Sequence, residues 1–121
     1  MKFINLTPHT VRIRDFSDEI IELPSSGHAH VDTTEDDLGF IGGFEIISAP
    51  RYGEVIGLPA PSEGVAYIVS GVVAGHADVK ARADVFRPAT GPNHGVIRDG
   101  DKRIQAVTKL IAMEDAPWAK R

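Results

Sequence analysis

Val65-Ala66-Tyr67-Ile68-Val69 decides the fold. It is the most hydrophobic continuous stretch in the chain. Turn residues bound it, with Pro59-Ala60-Pro61-Ser62-Glu63-Gly64 before it and Ser70-Gly71 after it. A short apolar run between turn signals reads as a central strand buried on both faces. Working outward, the neighbouring runs are half-buried strands. In Thr10-Val11-Arg12-Ile13-Arg14 the valine and isoleucine share one face and the arginines the other. Glu19-Ile20-Ile21-Glu22-Leu23 follows across Asp15-Phe16-Ser17-Asp18, a hairpin loop, and stops at Pro24, which has no ladder N–H. His28-Ala29-His30-Val31-Asp32 alternates again.

Further strands are expected at Phe3–Leu6, Phe44–Ser48, Glu54–Ile56, Arg82–Phe86, Gly95–Arg98 and Arg103–Ile111. Asp99-Gly100-Asp101-Lys102 joins the last two as a hairpin turn. Thr33 to Gly43, acidic and then glycine-containing, reads as a loop with at most one helical turn. Ser70 is placed to cap a short helix running to about His76 or Lys80, although Gly71 and Gly75 weaken it. The expected architecture is mainly β: an antiparallel barrel or sandwich-like domain with one or two short helices. An α+β domain is the alternative. At 121 residues the chain is one domain, 1–121, with 112–121 expected as a flexible tail that Trp118 could anchor.

Composition narrows function by exclusion. Cysteine is absent, so disulfides, thiolate metal sites and cysteine nucleophiles are excluded. The net charge of -4 and the few aromatic residues disfavour nucleic acid. No apolar run is long enough for a membrane helix, and no export signal is visible, so a cytoplasmic protein is expected. No Walker lysine, His-Glu-x-x-His or EF-hand pattern occurs. Ser70 lacks the Gly-x-Ser-x-Gly surround of a nucleophile elbow. No cofactor is implied.

Three constellations remain. His28, His30 and Asp32 share a strand face and are the ligand types of a metal site. Successive same-face residues lie about 6–7 Å apart, so a solvated face is the plainer reading. Arg82 and Asp84, with Arg98, His9 and Thr90, could together bind an anionic ligand through cationic and hydroxyl groups. Their plainer readings are a structural ion pair and turn-forming residues. Asp99 belongs with the turn.

Asn5-Leu6-Thr7-Pro8-His9, Tyr67-Ile68-Val69-Ser70, Arg82-Ala83-Asp84 and Val96-Ile97-Arg98-Asp99 follow one another along the chain. Together they resemble a group of small uncharacterised proteins of actinobacteria and bacteriophages, over about Phe3 to Ile111. The resemblance implies a cytoplasmic accessory protein of bacterial or phage origin, with no activity or site residue attached. Three functions are compatible with the chain. The first is a non-catalytic binding protein, expected as a homo-oligomer, that engages a host protein, as an anti-defence factor would, or sequesters a small nucleotide-like anion. The second is a structural or virion-associated protein. The third is a small metal-dependent enzyme using His28, His30 and Asp32.

Overall fold

A computed structural model describes the backbone of residues 1–120 and the side chains of residues 1–118. The protein is mainly β; the described residues hold one short α-helix, and their strands do not close into a barrel. The strands are β1 (Lys2–Asn5), β2 (Val11–Arg14), β3 (Ile20–Leu23), β4 (His30–Thr34), β5 (Asp37–Ile41), β6 (Phe44–Ile47), β7 (Arg51–Ile56) and β8 (Val65–Ile68). After the helix α1 (Gly71–Ala74) come β9 (Val85–Pro88), β10 (Ile97–Arg98), β11 (Ile104–Ala106) and β12 (Leu110–Ala112).

β8 is the central strand that its composition indicates. It lies inside a four-stranded sheet of order β1-β8-β9-β12. Ala66, Tyr67, Ile68 and Val69 are all 5% exposed or less. Alternate residues of β8 feed two different cores. Tyr67 and Val69 join Leu6, Val31, Val73, Val79, Val85 and Met113 on one face. Ile68 joins Val11 and Val107 on the other, with Phe3, Ile13, Leu23 and Leu110 packed around them. The sheet is therefore a middle layer, covered on one side by α1 and β4 and on the other by the β2–β3 hairpin.

The central sheet differs from the expected antiparallel pattern. β1 and β9 both pair with β8 in parallel, and only β12 pairs antiparallel, with β9. The cause is the connection from β8 to β9. It spans residues 69–84 and carries α1, which is long enough to return the chain to the same end of the sheet. The other pairs, β2–β3, β4–β7, β5–β6 and β10–β11, are antiparallel as expected.

Three local expectations are corrected. Residues 33–43 are not a loop: β4 runs to Thr34, and β5 begins at Asp37 and pairs with β6. Gly42 and Gly43, with φ of 59° and 86°, make the two-residue turn between them, a geometry open to glycine without steric cost. The helix is one turn, and the Ser70 side chain makes no capping bond. Gly71 and Gly75 at its two ends account for the brevity. The run Arg103–Ile111 is two strands. Val107 leaves β11 to exchange backbone hydrogen bonds with β2, accepting from Arg14 and donating to the Arg12 carbonyl.

In the segment from 112 onward, Met113 is 2% exposed and Ala116 is fully buried. Trp118 Nε1 donates to the Ala83 carbonyl at 2.7 Å.

Candidate functional site

The N-terminal motif is a hydrogen-bonded knot. Asn5 is 1% exposed at the end of β1. Its Nδ2 donates to the carbonyls of His9 and Leu23, at 2.7 and 2.8 Å. Its Oδ1 accepts from the Thr7 amide and hydroxyl. The Thr7 hydroxyl also reaches the His9 carbonyl. Every polar atom of the asparagine side chain is used, as burial requires. The knot closes the turn and ties it to β3. His9 takes part through its carbonyl, and its side chain is exposed.

Arg82 and Asp84 form the one half-buried ion pair among the described residues, with side chains 18% and 16% exposed. Arg82 Nε and Nη2 both meet the carboxylate at 2.8 Å, a bidentate fork. Nη2 also donates to the Pro59 carbonyl at 3.0 Å. The hydrogen bond from Arg82 holds the Asp84 carboxyl below the usual carboxylate range, against the opposing effect of burial. The same contact raises the Arg82 pKa further above its ordinary value. The arginine is thus engaged by its own neighbour and by the loop after β7.

The remaining anion candidates make contacts of their own. Arg98 is exposed on β10, and its Nη1 donates to the Lys102 carbonyl across the hairpin turn. Asp99 Oδ1 accepts from the amides of Asp101 and Arg103. Thr90 is exposed in the loop after β9. No hydrogen bond or ion pair joins Arg82 to Arg98, His9 or Thr90.

His28, His30 and Asp32 are exposed along β4 and the residues before it, while Ala29 and Val31 are buried. The two imidazole rings lie 5.4 Å apart, and His30 Nδ1 is 3.4 Å from the His28 carbonyl. The β4–β7 register slips between Val31 and Thr33, where Asp32 sits. Among the described residues no group of three His, Cys, Asp or Glu side chains is arranged to hold a metal ion. His76 is used structurally: its Nε2 donates to the Gly53 carbonyl at 2.8 Å, and its Nδ1 accepts from the Asp78 amide. That assignment of the ring proton follows from the hydrogen-bond partners.

A different surface stands out. The β5–β6 hairpin extends as an arm whose two strands pack on each other. Leu38, Phe40, Ile41, Phe44 and Ile47 are 59%, 74%, 67%, 74% and 54% exposed. The register pairs Phe40 with Glu45 and Ile41 with Phe44. Paired residues share a face, so Phe40 and Ile47 lie on one side of the ribbon and Ile41 and Phe44 on the other. Both faces bear bare apolar side chains, and Glu45 and Asp37 share the face of Phe40 and Ile47. The root is clasped instead. Asp36 and Ser48 exchange two hydrogen bonds, and Arg51 grips the Asp36 carboxylate with two nitrogens at 2.7 and 3.1 Å.

No family model, curated protein or solved structure matches this chain. The arm is thus read from its own chemistry. Two phenylalanine rings of about 150–250 Å² each, three-quarters bare, expose on the order of 300 Å² before the aliphatic residues are counted. With Leu38, Ile41 and Ile47 the bare apolar area over the two faces together is on the order of 600 Å², as much as the largest single patch on a typical monomer. The sequence held a signal for the arm. Gly42-Gly43 between Phe40-Ile41 and Phe44-Glu45-Ile46-Ile47 is a two-residue hairpin pattern. The acidic run before it drew the reading toward a loop.

Proposed function

We propose that this chain is a non-catalytic binding protein that engages another protein chain through the β5–β6 arm. The bacterial or phage setting and cytoplasmic location expected from its motifs belong to the same proposal. The observation that supports it is the bare apolar ribbon itself. An uncovered area of this size marks an interaction surface far more often than a chance exposure. Aromatic side chains of this kind are the usual anchors of protein interfaces. The arm also carries Glu35, Asp36, Asp37 and Glu45 and no basic residue over 35–48. Its partner is therefore expected to offer an apolar groove bordered by cations. The acids also disfavour an anionic lipid surface.

The anion-binding version has less support. Arg82 is already satisfied by Asp84 and Pro59, and Arg98 serves its own turn. A photoreactive phenylalanine analogue at position 40, introduced in the native host, tests the proposal. The same analogue at Phe16, wholly exposed at the tip of the β2–β3 hairpin, is the control. Position 40 is expected to yield a discrete cross-linked protein and position 16 none. Equal, diffuse labelling from both would overturn the reading.

A further inference from the structure

The molecule carries a second incompletely covered apolar surface. A cleft of about 430 Å³ opens between β1, the β2–β3 hairpin and β12, lined mainly by Phe3, Ile13, Ile21, Leu23 and Leu110. Ile21, on the inner face of β3 opposite Ile13, remains 38% exposed there. The cleft is large enough to take an aromatic ring, and the arm ends in two.

We infer that the occupant of this cleft is the arm of a second copy of the chain, so that copies join arm into cleft. The inference rests on the reading of the arm as a protein-binding element and names its partner. Area and charge carry it. The arm bares on the order of 600 Å² of apolar side chain, approaching the roughly 800 Å² that each partner buries in a standard stable interface. Charge decides between the two ways in which copies could meet. The four acids of residues 35–48 account for the whole formal charge of -4, because the rest of the chain holds equal numbers of acids and bases. Arm against arm would set two such acidic ribbons together. Arm against body sets an acidic ribbon on a surface with no excess of acids, where Arg14 and Asp15 stand side by side in the cleft wall. The contact joins two different patches, so copies assemble as a reciprocal pair, a ring or an open filament.

The experiment is native mass spectrometry of the full chain, with sedimentation as a second readout, at about 100 µM, where even modest interfaces are populated. Wild type is expected to be oligomeric. A Phe40→Ser/Phe44→Ser variant and an Ile21→Glu variant are each expected to be monomeric, with unchanged circular dichroism. Ile21→Ser replaces Ile21→Glu if the latter does not fold. Mixing the arm variant with the cleft variant is expected to give a one-to-one heterodimer, since each retains the surface that the other lacks. A monomeric wild type, a cleft variant that still assembles, or a mixture that stays monomeric would overturn the inference. If wild type is monomeric while position 40 still cross-links to a discrete foreign protein, only the self-association fails and the binding function stands.

Discussion

β2–β3 and β5–β6 are both antiparallel hairpins of similar length, and they have opposite fates. In β2–β3 the register puts Val11 opposite Leu23 and Ile13 opposite Ile21, with Arg12 opposite Glu22 on the other face. One face is apolar and joins the core around Ile68, and the other carries an ion pair at 2.9 Å. Val107 and Asn5 then bond its backbone to the body. In β5–β6 the apolar residues occupy both faces, and the ribbon is held at its root alone. A single apolar face directs a hairpin onto its own domain. Apolar residues on two faces cannot both be satisfied by one sheet surface, so those of the hairpin stay exposed.

The comparison can be broken most severely with a charge. Val11→Asp places a carboxylate in a buried site without a partner and is expected to cost about 3 kcal/mol or more. Phe40→Asp on the arm is expected to change stability by less than about 0.5 kcal/mol. Chemical denaturation of both variants checks this, and equal losses would mean that the arm is packed. Next, Asn5→Ala removes the tie to Leu23 and leaves several buried backbone and hydroxyl groups without their partner. A loss of about 2–3 kcal/mol is expected in the same assay.

The loop after β7 is pinned by Arg82 at the Pro59 carbonyl, so Asp84→Asn tests that anchor. A loss of about 1–3 kcal/mol at neutral pH is expected. The sign of its pH dependence follows from the lowered Asp84 pKa. The stabilisation is complete above the unfolded value of about 4 and is lost as pH falls through the lower folded value. Thermal melts from pH 6 to pH 2 should show this acid limb in wild type and a flatter curve in Asp84→Asn.

The smallest effect is a gain. Asp18 closes the β2–β3 turn at a φ of 63°, as Lys102 does in the β10–β11 turn. In each, the first aspartate of the turn, Asp15 or Asp99, accepts the same two amides by its side chain. Asp18→Gly relieves the left-handed conformation and is expected to add about 0.5 kcal/mol, net of the extra chain entropy of glycine. A loss on that substitution would show that the Asp18 contact with Arg14 outweighs the strain.

The sheet's centre was legible because β8 is apolar at every position, and burial on two faces leaves no polar residue to blur it. β2–β3 was legible because strict alternation has one structural meaning. The parallel pairing was not, since it depends on where the connection through residues 69–84 returns the chain. The arm was hidden for a related reason. Its strands do not alternate, because no solvent face was reserved. Of the candidate residues, the Arg82–Asp84 ion pair was readable from charge and close spacing, although the expected strand at Arg82–Phe86 begins only at Val85 and the pair sits in the turn before it. That Arg98 bonds the Lys102 carbonyl of its own turn is a local contact that the sequence reading did not draw. Asn5 was passed over as a functional or structural centre, since an asparagine beside a turn gives no sign that all its polar atoms are buried and used.

The pairing of Lys2 with Val65 also sets a timetable. During synthesis β1 is made about 60 residues before its partner, an interval of several seconds at about 5–20 residues per second. The β5–β6 hairpin, closed by two glycines, can form within about 10 µs of leaving the ribosome. The newborn chain therefore presents its sticky ribbon seconds before the body that carries the cleft exists. Neighbouring chains on one messenger would meet in that window with arms ready and clefts still unmade.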